Sequence, residues 1–112
     1  MATFVETFDK YKSELDTLGI SYDEALLSAV TKGLGPAIYN EDSSRVSSSD
    51  PDELARVKTN FLIGKLGLKD GPELDQAIAD VVEQLGSSNR NKYRAIFYYL
   101  LVVALGKASV YA

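Results

Sequence analysis

The stretch Ala95-Ile96-Phe97-Tyr98-Tyr99-Leu100-Leu101-Val102-Val103-Ala104-Leu105 carries no charge, and its only polar side-chain atoms are two tyrosine hydroxyls. Its length decides what it can be. A membrane-spanning helix needs about 20 apolar residues and a fully buried strand about 4 to 8, so these eleven residues read as a buried helix. Helix formers outnumber the β-branched Ile96, Val102 and Val103, and Gly106 stands where a C-terminal cap is wanted. A helix apolar on every side must be covered on several of them. The rest of the chain is expected to supply that cover.

Four amphipathic segments can do so. Phe4, Phe8, Tyr11, Leu15 and Leu18 recur at steps of four and three and predict a first helix, ended by Leu18-Gly19-Ile20 in a Schellman-type stop. Ser21 and Glu24 read as a capping box for a second helix with the stripe Tyr22, Leu26, Ala29 and Val30. This helix stops near Gly33, before a short turn at 37–39. Asp50 caps a third helix, with Pro51 in its first position and Glu53 completing the box. Its stripe is Leu54, Val57, Phe61, Leu62 and Leu66, and Leu66-Gly67-Leu68 repeats the earlier stop. Asp70-Gly71-Pro72-Glu73 opens a fourth helix with the stripe Leu74, Ile78, Val81 and Leu85, closed by Gly86.

Between the second and third helices, Asn40 to Asp50 holds five serines and Val46 as its only apolar residue. Such a stretch has little to bury and predicts a surface loop at 40–50. No alternating strand pattern competes. The expectation is a single all-α domain over 1–112: a compact bundle of about five helices with the apolar C-terminal helix, about Asn89 to Leu105, at its centre.

Composition narrows the function. The chain has neither cysteine nor histidine, which removes thiol nucleophiles, disulfides, the usual zinc ligands and the commonest base near neutral pH. A non-enzymatic role is therefore preferred. Asp42, Asp50, Asp52 and Glu53 lack the spacing and central glycine of a calcium loop, and Gly33-Leu34-Gly35-Pro36 lacks the elements of a phosphate loop. Neither a cofactor nor a metal is expected. The first residues carry acids where a signal peptide has bases, pointing to the cytoplasm and away from membranes. Residues 1–54 hold eleven acids and four bases, and residues 55–112 hold five acids and eight bases, together giving the net charge of −4. Two halves of opposite sign can attract within one fold, whereas nucleic-acid binding would need a strongly basic surface.

One polar block stands out: Ser87-Ser88-Asn89-Arg90-Asn91-Lys92-Tyr93-Arg94, at the entrance to the apolar run. Ser87 or Ser88 is a good N-cap, but three bases without an acid then occupy turns where the helix dipole disfavours positive charge. Compensation can come from acids of the first half, pinning it to the core. It can also come from a bound phosphate or carboxylate, with Ser87, Ser88, Asn89, Arg90, Lys92 and Arg94 as the binding residues.

This block, with Thr31-Lys32-Gly33-Leu34-Gly35-Pro36, Asn60-Phe61-Leu62-Ile63 and Phe97-Tyr98-Tyr99-Leu100-Leu101, resembles a small bacterial family, that of the domain of unknown function 2853. The resemblance implies a bacterial protein without known catalytic residues. The expected function is a binding or interaction module for a protein partner or a second copy of the chain. The alternative is a binder of, or enzyme acting on, a small anionic ligand at the start of the last helix.

Overall fold

The apolar run forms the last of five α-helices in the computed structural model, which describes residues 3–39, 44–47, 49–86 and 92–111. The helices are α1 (Phe4–Thr17), α2 (Glu24–Gly33), α3 (Pro51–Arg56), α4 (Pro72–Leu85) and α5 (Arg94–Ala104). Short 3-10 turns follow α2 at Gly35–Tyr39 and α5 at Ala108–Tyr111. There is no named strand among the described residues, and the all-α bundle expected from the periodicity forms. None of the helices of the described residues is long and apolar enough to cross a membrane.

Every residue of α5 from Ala95 to Val102 is buried. The helix packs against α1, α2 and α4, and the ring of Tyr98 stacks on that of Phe61 at 3.9 Å between centroids. The cover is incomplete at one end, where Val103 is 52% exposed. The start also differs from the expected Asn89: α5 begins at Arg94, and Tyr93 before it has extended backbone. The cause is a bridge between Arg45 and Tyr93. In it the Arg94 N–H donates to the Ser44 carbonyl at 2.7 Å and the Val46 N–H to the Lys92 carbonyl at 2.8 Å. These pairings hold Tyr93 in extended backbone, so the helix starts only after it.

The bridge also draws part of the Ser-rich stretch inward. Ser44 and Val46 are buried, so the expected surface loop is docked at these residues instead of solvated. Val46 seats its apolar side chain in the core, and the backbone beside it takes partners from the α5 entrance.

Two further helices, α2 and α3, differ in detail from expectation. α2 is capped by Asp23, not by Ser21 with Glu24; the Asp23 carboxylate accepts from the Ala25 and Leu26 N–H groups. Its buried face is Leu27, Val30 and Thr31, with Leu26 only half-buried. Thr31 can be buried because its hydroxyl donates to the Leu27 carbonyl at 2.6 Å. α3 does not continue as a regular helix to Leu66: it passes into a π-helical segment, Val57–Lys65. Pairing from i to i+5 adds a residue to each turn. Val57, Phe61, Leu62 and Leu66, four to five positions apart, thereby share one buried face. At Glu53 the capping box fails, since the carboxylate goes elsewhere, as described below.

The stops follow expectation. Gly19 and Gly67 both lie at φ 71°, a conformation costly for any residue with a Cβ. Past Gly19, the Ile20 N–H reaches back to the Leu15 carbonyl at 3.0 Å, closing α1. All four residues of the α4 stripe are buried, and Pro72 opens that helix after Gly71.

Replacing Leu101, fully buried in α5, by alanine should cost about 2–5 kcal/mol of unfolding free energy. The same kind of truncation at exposed Val103 should stay within about 0.5 kcal/mol. Urea unfolding of the two variants measures both.

Candidate functional site

Of the residues proposed from sequence, Ser87, Ser88, Asn89 and Arg90 lie outside the described residues, while Lys92 and Arg94 lie within them. Arg94 occupies the first position of α5, so helical register does not run back from it toward Arg90. Its side chain is 17% exposed, and its guanidinium joins three parts of the fold. Nη2 donates to Glu53 Oε1 of α3 and to the Arg45 carbonyl, and Nη1 donates to the Tyr98 hydroxyl at 2.9 Å. The other oxygen of Glu53 accepts from Arg56 at 2.7 Å. The carboxylate read as half of a capping box thus takes the charge of the α5 entrance, while Asp50 caps α3 by itself through the Asp52 N–H.

The electrostatics follow from this geometry. Burial pushes the Glu53 carboxyl up, but hydrogen bonds from Arg94 and Arg56 outweigh it and leave the carboxyl below its ordinary value. Burial likewise disfavours the Arg94 cation, and the bond to Glu53 more than restores it. Lys92 is 2% exposed, and its ammonium is lowered by burial.

A second group of side chains surrounds the ring of Tyr93. Lys10 Nζ stands 4.8 Å and the Arg45 guanidinium carbon 5.8 Å from its centroid. The Tyr11 ring packs at 5.1 Å, tilted by 47°. Tyr11 is fully buried, and its hydroxyl has no hydrogen-bond partner among the described residues. Burial, reinforced by Tyr93 and Tyr39, pushes that phenol up to about 12 despite Arg45. Lys10 is exposed and makes no ion pair among the described residues.

Sequence reasoning missed Lys10, Tyr11, Arg45 and Glu53 as neighbours of this entrance. Tyr11 looked like any other stripe residue, and Arg45 looked like one base in a polar loop. The only signal was the opposite charge of the two halves, which the Arg94–Glu53 pair realises locally. The adjacent tyrosines of α5 separate as helix geometry demands. The Tyr98 hydroxyl serves Arg94, whereas the Tyr99 hydroxyl accepts from the Asp23 N–H at 2.7 Å and ties α5 to the start of α2.

With this geometry established, the comparisons with known proteins agree with the resemblance in the sequence. The family described as Protein of unknown function (DUF2853) matches residues 10–109, and the chain belongs to it. No match is found among curated proteins.

Two outcomes test the site. Because the folded-state value of Glu53 lies below its unfolded one, the contribution of the Arg94 pair is complete above the ordinary glutamate range and is lost as pH falls through the folded-state value. Glu53→Gln should therefore lower stability by about 1–3 kcal/mol near neutral pH, and its difference from the parent should close as pH falls below the ordinary glutamate range, as read by urea titrations at several pH values. The tyrosines should behave oppositely. Tyr99→Phe should cost about 0.5–1.5 kcal/mol and speed hydrogen exchange at the Asp23 amide, while Tyr11→Phe, which removes an unpartnered hydroxyl, should be neutral or stabilising by up to about 1 kcal/mol.

Proposed function

We propose that this chain is a non-enzymatic binding module of the bacterial cytosol that uses the α5 entrance to hold the acidic surface of a protein partner. The observation that carries the reading is the grouping of bases there. In a chain of net charge −4, Lys10 and Arg45 flank the Tyr93 ring, and Arg94 follows it directly. Exposed Lys10 offers a cation beside an aromatic face, an arrangement suited to a carboxylate-bearing surface. Arg94 serves a different end: bonded to Glu53, Tyr98 and the Arg45 carbonyl, it holds α3 and the Ser-rich stretch against α5 and keeps the patch in shape. Ser87, Ser88, Asn89 and Arg90, the rest of the polar block, lie outside the described residues.

An oligoglutamate peptide is the test ligand. Its titration into the labelled protein, followed by nuclear magnetic resonance, should shift the Tyr93 and Arg45 signals, and binding should weaken at least fivefold in Lys10→Glu without loss of stability, since Lys10 is exposed. Absence of saturable shifts, or binding unchanged in Lys10→Glu, refutes the reading. Inorganic phosphate in a parallel titration separates a surface for acidic protein from a pocket for a small anion.

A further inference from the structure

The groove between α3 with its π continuation and α4 is built differently from the α5 entrance. It encloses about 390 Å³ and is walled by Leu54 and Ala55 on one side and Ile78 and Ala79 on the other. A volume of this order suits a small ligand. Its charged lining groups are Lys58 and Asp75, and these are already committed to each other: Lys58 Nζ lies 3.1 Å from Asp75 and 2.7 Å from Asp70. Two carboxylates thus share one ammonium. Both acids are well exposed, whereas the lysine is mostly covered.

That imbalance selects the sign of a ligand. An incoming anion would meet two carboxylates whose cation is already shared, whereas an incoming cation finds an excess negative charge at the rim of an apolar slot. The geometry points to a binding site for a small amphipathic cation, an unbranched alkyl chain ending in an ammonium group. The chain lies along Leu54, Ala55, Ile78 and Ala79, and the head group sits beside Asp75. This site shares no residue with the proposed acidic-partner surface, so the two stand or fall separately.

Octylammonium chloride is the probe, followed by nuclear magnetic resonance on the full chain. Saturable shifts are expected at Ala55, Lys58, Asp75 and Ala79, with octanoate binding at least fivefold more weakly. Shortening the probe to hexylammonium should weaken binding roughly tenfold, the loss of two buried methylenes. Ala79→Phe fills the slot from an exposed helix position and should abolish binding while thermal unfolding shows the fold intact. Asp75→Asn should weaken octylammonium but leave the neutral octyl glucoside unchanged. Equal affinity for octanoate and octylammonium overturns the proposal, as does binding that survives Ala79→Phe or a complete absence of saturation.

Discussion

The constraint on which the structure depends is the need to keep α5 dry. A helix with eight consecutive buried residues, from Ala95 to Val102, cannot rest on one neighbour. α1, α2 and α4 lie against it, and the π segment reaches it through Phe61. The polar atoms that enter with it must find partners in the same small space. Tyr98 and Tyr99 do so in different directions, one toward Arg94 and one toward the backbone of Asp23. The Tyr99 hydroxyl links α5 to the start of α2, while the Tyr98 hydroxyl, within α5, supports the guanidinium that reaches Glu53 of α3.

The same requirement shapes the entrance to the helix. A positive side chain at a helix N-terminus opposes the dipole, and partial burial of Arg94 adds a desolvation cost. Glu53 answers both, and the Arg45 carbonyl and the Tyr98 hydroxyl satisfy further guanidinium donors. The site is thereby two-layered. Arg94 and Glu53 lie inward and hold elements together, while Lys10 and Arg45 bracket the Tyr93 ring, with Lys10 facing solvent. The inner layer makes a surface of definite shape, and the outer layer gives it its charge.

The π segment shows how packing overrides local periodicity. Val57, Phe61, Leu62 and Leu66 fit an α-helical stripe on paper, but only winding with i to i+5 pairs brings all four onto one buried face. The Leu66 N–H reaches the Phe61 carbonyl at 2.9 Å, and the Leu68 N–H reaches Leu62 at 3.1 Å, so the wider turn persists through the stop at Gly67. The groove beside α4 lies along this same length of chain, between α3 with the start of the π segment and the first turns of α4.

What the sequence determined by itself was whatever depends on neighbours a few residues apart. The apolar run, the α1 and α4 stripes, the proline at the start of α3 and the glycine stops at Gly19 and Gly67 are all local patterns, and each holds. The family too was legible, from short blocks spread over most of the chain. What tertiary structure decided was every pairing across long separations. Glu53 meets Arg94 across 41 positions, and Arg45 meets Tyr93 through a bridge that delays α5 to Arg94. The buried face of α2 turned on which of Leu26 and Leu27 the core accepted. In these cases several partners satisfy the local rules equally well, and the choice among them rests on burial and on which groups the packed elements bring within hydrogen-bond reach.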